Sequence, residues 1–241
     1  MKILITNDDG IYASGLPALI QWAQSIGDVT VAAPEKEQSG KSHAIELHDG
    51  FRITKVNLFP RVTAYAVNST PADCVRFAVF GLQEKFDLII SGINRGYNIG
   101  RDIMYSGTVA AIYEAANLSI PAIAFSTEPA YYANAAEQLP RIYQFFEDNH
   151  LLALNDLYNV NIPPTAQTIR ITKQGGPYFS DDFVPQQPDY YKPIGKCVHM
   201  NKGDLTIDTD AVISGHISIT PLQLDRTNVF VYEKLKDIHE K

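Results

Sequence analysis

The sequence is poor in cysteine and has no excess of basic charge. Its two cysteines, Cys74 and Cys197, lie far apart in 241 residues, and neither belongs to a CxxC pair. Disulfide scaffolds and zinc knuckles need several suitably spaced cysteines, so the sequence argues against both. The formal net charge of −7 argues against a broad basic surface for nucleic-acid polymers. A small phosphorylated ligand in a local pocket stays compatible with this charge.

Long apolar runs are also lacking. No segment approaches the roughly 20 apolar residues that a membrane span needs. The chain begins with a predicted strand, without the basic and apolar regions of a signal peptide. We therefore expect no membrane partner and a cytoplasmic location. The hydrophobic share of 45% and charged share of 20% are typical of an ordinary globular protein, with one large domain or a core domain and an extension.

The first informative stretch follows an apolar run that ends at Ile5. That run predicts a buried strand, and Asp8 and Asp9 fall in the loop at its carboxyl end, where open α/β sheets bind ligands. Gly10 permits the turn that would let two adjacent carboxylates converge. One hypothesis is a site for a divalent cation, Mg²⁺ or Mn²⁺. The other is an Asx-turn that caps the following helix. These residues alone leave both hypotheses open.

Further loops fall on the same predicted edge. A helix over residues 16–23 and a strand over 29–33 predict a parallel βαβ unit, so the polar loop 35–42 lies beyond a strand end like Asp8. A strand over 87–91 then leads into a loop with glycines at spacing four, Gly92, Gly96 and Gly100, where the backbone can approach a ligand closely.

Polar residues in and after this glycine-rich loop suggest a phosphate site. Asn94 and Asn98 offer amide oxygens and donors. Residues 106–108 precede a helix predicted over 109–117, and the free N–H groups of a helix N-terminus bind anions. The alternative is a purely structural loop, which is less common at this length inside a compact domain.

The remaining patterns predict the rest of the fold. Asp49-Gly50 predicts a hairpin turn, and Thr70 with Pro71 predicts a helix start. An aromatic stretch over 175–193 predicts an extended arm that packs on another surface, for which a neighbouring subunit is one candidate. The other expected elements are strands at 121–125, 160–162, 169–171 and 216–222, a helix ending near His150, a turn at 206–210 and a polar helix at 233–241.

Five motifs, in order along the chain, closely resemble the SurE survival proteins, a family of metal-dependent phosphatases of nucleoside monophosphates. They are ITNDDG (5–10), AP..EQSGKSHAI (33–45), STPADCV (69–75), SGIN.G.N.G.D..YSGTV (91–109) and SGHISITPL (214–222). The resemblance implies an α/β fold: a Rossmann-like, mostly parallel sheet with helices on both faces. It further implies a catalytic domain over 1–165 and a C-terminal β-rich extension over 166–241 that forms homodimers or dimers of dimers.

The resemblance also implies site residues. It makes Asp8, Asp9, Ser39 and Asn94 the ligands of one divalent metal ion per subunit, Mg²⁺ or Mn²⁺, with Asp8 and Asp9 also catalytic. Residues matching the phosphate pocket are Asn98, Ser106, Gly107 and Thr108. The expected substrates are nucleoside 5′-monophosphates, with 3′-nucleotides and short polyphosphate as further candidates. We expect attack by water activated at the metal, and a phospho-aspartate route is the alternative.

Several alternatives accompany this assignment. A non-catalytic nucleotide-binding module would need the glycine loop but not paired carboxylates. An NAD-dependent oxidoreductase would need G-x-G-x-x-G after the first strand, where this chain has Asn7-Asp8-Asp9-Gly10. His43 is either a general acid or a hydrogen-bonded structural residue. Arg95 and Arg101 either reach phosphate or are solvated, and Cys74 is expected to be buried.

Overall fold

The structure is a computed structural model, and it describes residues 1–238. Nine strands form one sheet, and two more form a separate hairpin. The strands are β1 (Lys2–Thr6), β2 (Asp28–Pro34), β3 (Ile53–Val56), β4 (Thr63–Val67), β5 (Leu88–Arg95), β6 (Ala122–Thr127), β7 (Leu157–Ile162), β8 (Ile169–Ile171), β9 (Phe179–Gln187), β10 (Tyr190–Cys197) and β11 (Ile217–Pro221).

The large sheet has the order β3-β4-β2-β1-β5-β6-β7-β11-β8. Its six consecutive strands from β4 to β7 are parallel, while β3 and β11 run antiparallel to their neighbours β4 and β7. From β1 the chain goes first to β2 on one side and later to β5 on the other. The crevice at the carboxyl ends of β1 and β5 is therefore the topological switch point where α/β sheets bind ligands.

Helices cover both faces of the sheet, as predicted. They are α1 (Leu16–Ala23), α2 (Pro71–Arg76), α3 (Gly107–Asn117), α4 (Tyr132–Asp148), α5 (Leu151–Leu154), α6 (Asp208–Ile213) and α7 (Val229–Leu235). The apolar stripes of α1 and α4 pack on one face, and those of α2 and α3 pack on the other. Short 3₁₀ segments (Gly100–Tyr105 and Pro129–Tyr131) and a π-helical segment (Phe77–Gly81) complete the regular structure.

Local sequence explains why α2 begins where it does. Thr70 is the N-cap residue, with extended backbone, and its hydroxyl accepts a hydrogen bond of 3.2 Å from the amide of Asp73. Pro71 occupies the first helical position, where the missing N–H costs nothing. The predicted helix start is confirmed. Its Cys74 is fully buried, as expected.

The last third of the chain contributes to two sheets. Strands β8 and β11 extend the large sheet beyond β7, whereas β9 and β10 pair only with each other among the described residues. The aromatic stretch predicted as an extended arm thus forms most of a hairpin. Its contact with another subunit and the division of the chain at residues 165 and 166 stay predictions.

Four element predictions need correction. Asp49-Gly50 joins no strands, and the hairpin instead connects β3 and β4 through residues 57–62. Helix α6 begins at Asp208, inside the stretch 206–210 predicted as a turn, and its residues 208–212 are all buried. Strand β5 continues past Ser91 to Arg95. The last helix is α7, which ends at Leu235, and the predicted end of that helix at 239–241 lies outside the described residues.

No helix within residues 1–238 has both the length and the apolar character that a membrane span requires.

Candidate active site

The predicted site residues lie at the switch point. Asp8 and Asp9 follow β1, and Asn94 lies at the end of β5, the strand next to β1. The loop after β2 carries Ser39, and the N-terminus of α3 carries Thr108. All five therefore reach the same edge of the sheet from different elements.

The turn after β1 is closed by Asn7. Its side-chain amide donates to the carbonyl of Gly10 at 2.9 Å, and its Oδ1 accepts from the Gly10 amide at 3.1 Å. Gly10 has φ +99°, a conformation that disfavours other residues. Asn7, and neither aspartate, therefore makes the Asx-turn hydrogen bonds of this loop. Among the described residues, no side chain caps α1. The carboxylates of Asp8 and Asp9 have other partners.

Asp8 faces the N-terminus of α3. The Thr108 hydroxyl donates to Asp8 Oδ1, and the backbone amides of Gly107 and Thr108 also face this carboxylate. Burial raises the pKa of Asp8, and the Thr108 hydrogen bond opposes that shift. A Cβ on Gly107 would lie 2.7 Å from the Cβ of Asp8. Glycine is therefore needed for this close approach.

Asp9 faces the end of β5. Its Oδ2 accepts from the backbone amide of Arg95 at 2.9 Å, and its Oδ1 lies 3.9 Å from Nε of the Arg95 side chain. Burial raises the pKa of Asp9 to about 6, the Arg95 amide opposes the shift, and the charge of Asp8 adds to it. The two adjacent carboxylates thus accept hydrogen bonds from different elements, Asp8 from α3 and Asp9 from β5.

Glu37, a residue to which the sequence assigned no role, links Ser39 to Arg95 and so to Asp9. The Ser39 hydroxyl donates to Glu37 Oε1 at 2.8 Å, and the same oxygen accepts from Arg95 at 2.9 Å. The Arg95 side chain is exposed, as one alternative expected, and it also joins Glu37 to Asp9. In the sequence, only its position in the polar loop after β2 pointed to Glu37 as a site residue.

A bulge in β5 positions Asn94. The pairing of β5 with β6 shifts register between Ser91 and Asn94, so that Asn94 lies opposite Ser126. Such bulges re-aim side chains beside active sites. Gly92 makes the bulge possible, since it has φ +136° and a Cβ there would clash with the Phe125 carbonyl. The Asn94 amide nitrogen donates to the Gly96 carbonyl at 2.8 Å.

The residues predicted for phosphate divide into two groups. Ser106 is the N-cap of α3, and its hydroxyl accepts from the Val109 amide at 3.1 Å. Gly107 and Thr108 follow it beside Asp8. Asn98 is held elsewhere, in a buried network with Ser126. Asn98 and the N-terminus of α3 thus lie in different parts of the segment that follows β5.

Two basic residues of the matching motifs also have definite places. His43 Nε2 lies 2.8 Å from Glu114 Oε2, a buried carboxylate on α3, so His43 has a structural partner. Arg101 contributes its backbone amide, which donates to the Gly176 carbonyl at 3.0 Å, and its side chain is exposed.

A cavity of about 310 Å³ opens beside Asp9. Glu37 and Arg95 supply its other charged groups, and the rings of Tyr12 and Tyr132 supply aromatic surface. Burial raises the pKa of Tyr132 to about 12, and the negative charge of Asp9 adds to the shift. The cavity gives a ligand direct access to Asp9.

The donor chemistry suits a hard cation. Two carboxylates, a hydroxyl and an amide oxygen lie at this edge of the sheet, and these are ligand types that Mg²⁺ and Mn²⁺ prefer. Burial disfavours the charged forms of Asp8 and Asp9, and a bound divalent cation would reverse that effect. No group of three or more His, Cys, Asp or Glu residues suited to a metal converges within residues 1–238, so a cation bound by Asp8 and Asp9 would need hydroxyl or amide oxygens as its further protein ligands.

Comparison with known proteins agrees with the motifs. A family model described as "Survival protein SurE" matches residues 3–181. The chain belongs to the SurE family. A protein of Thermoanaerobacter sp. (strain X514) named 5′-nucleotidase SurE is 42% identical over 241 residues, covering 94% of each chain. Another of that name, from Alkaliphilus metalliredigens (strain QYMF), is 37% identical over 254 residues and covers 99% of each.

A solved structure shares the SurE fold. The crystal structure of the SurE protein from Aquifex aeolicus superposes with a TM-score of 0.82 at 31% identity, covering 98% of each chain. This likeness confirms the predicted α/β fold.

Asn159 and Asn161, two residues of β7, were given no role from the sequence. Their signal was a pair of asparagines alternating within an otherwise apolar strand.

Proposed function

We propose that the chain is a divalent-metal-dependent phosphatase that hydrolyses nucleoside 5′-monophosphates to a nucleoside and phosphate. Support comes from relatives named 5′-nucleotidase SurE that align along nearly the whole chain. The observation that carries the site is that two adjacent carboxylates lie at the switch point, Asp8 buried against the N-terminus of α3 and Asp9 half-buried beside the end of β5. 3′-Nucleotides and short polyphosphate are further candidate substrates.

We propose Asp8, Asp9, Ser39 and Asn94 as the ligands of one Mg²⁺ or Mn²⁺ per subunit. When bound, the cation would supply positive charge beside the phosphate and increase the acidity of water. The two carboxylates supply charge, and the hydroxyl and amide supply neutral oxygens. This ligand set leaves positions for water and substrate, which Mg²⁺ usually retains.

The protein groups then have separate proposed roles. Asp8 is engaged by Thr108, so it is oriented and has little freedom to move a proton. Asp9 borders the open cavity, and we assign it the proton of the attacking water. The N–H groups at the start of α3 and the Asn98 amide would stabilise negative charge on the phosphoryl oxygens. Trapping of a phosphorylated enzyme would instead support the phospho-aspartate route.

Phosphate release from a panel of nucleoside monophosphates tests the proposal. We expect activity with Mg²⁺ or Mn²⁺ and its loss after chelation, with recovery on adding metal back. Asp9→Asn should lower kcat/KM by about 10²-fold or more, since a positioned base contributes at least that much. Asp28→Asn is the matched control, because Asp28 is an exposed carboxylate at the start of β2, the opposite edge of the sheet. Equal activity of the two variants would refute the site.

A non-catalytic nucleotide-binding module is the alternative function. It would bind nucleotides without releasing phosphate, and its affinity would not depend on Asp9. Isothermal titration of the wild-type chain and Asp9→Asn with a nucleoside monophosphate separates the two. Binding without turnover under any metal would favour the module.

We further propose that the chain forms homodimers or dimers of dimers through its C-terminal extension. Support comes from the β9–β10 hairpin, which exposes Phe183, Tyr190 and Tyr191. Exposed apolar clusters commonly mark protein interfaces. Light scattering of the wild type should give a mass above one chain. The combined change Phe183→Ser and Tyr191→Ser should lower that mass.

We also propose a cytoplasmic location. The support is the presence of two unpaired cysteines, one of them, Cys197, exposed. Exposed free thiols persist in reducing compartments. Cell fractionation with an antibody to the chain tests this.

A further inference from the structure

The loop that follows β5 is unusual because its backbone is largely buried. Loops normally run over the surface, since a buried backbone N–H or C=O must find a partner. Here the backbone groups of Gly96, Asn98 and Gly100 have separate partners. The Gly96 amide donates to the Thr127 carbonyl at 2.7 Å, and the Gly100 amide donates to the Asp208 carboxylate at 2.9 Å. Asn98 lies between them.

Two side chains of β7 form hydrogen bonds with the backbone of Asn98. Asn161 uses both ends of its amide: Oδ1 accepts from the Asn98 N–H at 2.8 Å, and Nδ2 donates to the Asn98 carbonyl at 2.7 Å. Asn159 donates a second hydrogen bond to that carbonyl, also at 2.7 Å. Both side chains are fully buried. Asn161 thus pairs with Asn98 as a neighbouring strand would.

A row of polar residues links these hydrogen bonds to the proposed metal site. Asn94, Ser126 and Asn161 are register neighbours across β5, β6 and β7. Ser126 Oγ accepts from the side-chain amide of Asn98 at 2.8 Å. Asn98 is therefore fixed at its backbone by β7 and at its side chain by β6. Both strands belong to the rigid parallel sheet.

We propose that Asn161 is a positioning residue that sets the place of Asn98 in the phosphate pocket. It acts through two hydrogen bonds to the Asn98 backbone and does not itself touch substrate. The inference rests on the proposed function, because it assumes that Asn98 contacts the phosphate. A misplacement of about 1 Å in such a group can lower the rate by about 10²-fold.

Asn159 provides a matched control. It lies two residues away on the same strand, is equally buried and makes one of the three hydrogen bonds. Its Oδ1 has no hydrogen-bond partner among the described residues. Asn159→Leu leaves the Asn98 carbonyl bonded to Asn161, whereas Asn161→Leu leaves the Asn98 N–H with no partner. The same substitution therefore has unequal consequences for Asn98.

The experiment measures phosphate release from nucleoside monophosphates and its inhibition by inorganic phosphate. Asn161→Leu should lower kcat/KM by about 10- to 100-fold. It should also raise the inhibition constant of phosphate by about tenfold, equivalent to losing one hydrogen bond to a charged group. Asn159→Leu should change both quantities less. A merely structural role would lower the melting temperature of both variants without changing the phosphate constant.

A double-mutant cycle with Asn98→Ala tests the route of the effect. If Asn161 acts by placing the Asn98 side chain, Asn161→Leu should lower kcat/KM much less when that side chain is already absent. Additive effects, or full activity of a folded Asn161→Leu variant, would overturn the inference. An inactive wild type would instead overturn the proposed function.

A second variant covers failure of Asn161→Leu to fold. Asn161→Ser keeps a polar group but is too short to reach both the N–H and the carbonyl of Asn98. The same loss of phosphate inhibition is expected from it. Wild-type inhibition by phosphate in this folded variant would equally refute the positioning role.

Discussion

Substitution of Gly107 by alanine is the most direct test of the contact between α3 and Asp8. The new Cβ would lie 2.7 Å from Asp8 Cβ, 3.0 Å from Asp8 Oδ2 and 3.1 Å from Pro71 Cγ. An ordinary contact begins at 3.4 Å, so Asp8 or the start of α3 must move by roughly 0.7 Å. Neither can move freely, because Asp8 is bonded to Thr108 and Pro71 begins α2.

Two effects of different size follow from this displacement. Overpacking of this kind costs typically about 1–3 kcal/mol of stability. The catalytic effect should be larger in relative terms, because Asp8 is a proposed metal ligand and shifts of this scale can lower rates by up to about 10²-fold. We expect Gly107→Ala to stay folded while losing most of its kcat/KM and needing more Mg²⁺ or Mn²⁺ for half-maximal activity.

The assay is phosphate release across a metal titration, together with thermal melting. Gly50→Ala is the matched control, since a Cβ there meets nothing within 4 Å. Wild-type metal dependence and kcat/KM for Gly107→Ala would refute the close approach of α3 to Asp8. Equal losses in both variants would show that the effect does not arise from this contact.

Two predictions concern stability. Asp208→Ala removes the acceptor of the Gly100 and Gly175 amides and should cost about 2–4 kcal/mol in urea unfolding, whereas an unchanged midpoint would show that water replaces the carboxylate. The hydrogen bond from His43 lowers the pKa of Glu114 below its ordinary value of 4.5. The stability this carboxylate contributes is therefore present above that value and is lost as pH falls through the lower folded pKa. Glu114→Gln should make the free energy of unfolding depend less on pH in the acid range. An unchanged pH dependence there would contradict the pairing of His43 with Glu114.

Patterns close together in the sequence predicted the elements well. Apolar runs located β1, β2, β6 and β7, and capping residues located the start of α2. Hydrophobic burial and backbone hydrogen bonding act over a few residues, so their signals are local. The failures also have a local cause. Asp49-Gly50 has the composition of a hairpin turn, yet no strand precedes it to pair with β3.

The edge that carries the site could be predicted, while its contacts could not. Strand ends placed Asp8 and the loop of Ser39 on one edge because parallel strands share a direction. The partner of each carboxylate depended on residues 86–100 positions away in the chain, Arg95 for Asp9 and Thr108 for Asp8. Glu37 joined the site through its contacts with Ser39 and Arg95.

The sequence by itself determined the fold class, the family motifs and the chemical types of the candidate ligands, because these are properties of residues and their spacing. Only the tertiary structure decided how they are held. Three features join segments that are distant in sequence: the β5 bulge, the close approach of Gly107 to Asp8, and the hydrogen bonds between Asn161 and Asn98. Their physical basis is that buried polar groups must find partners wherever the packed core brings one within reach.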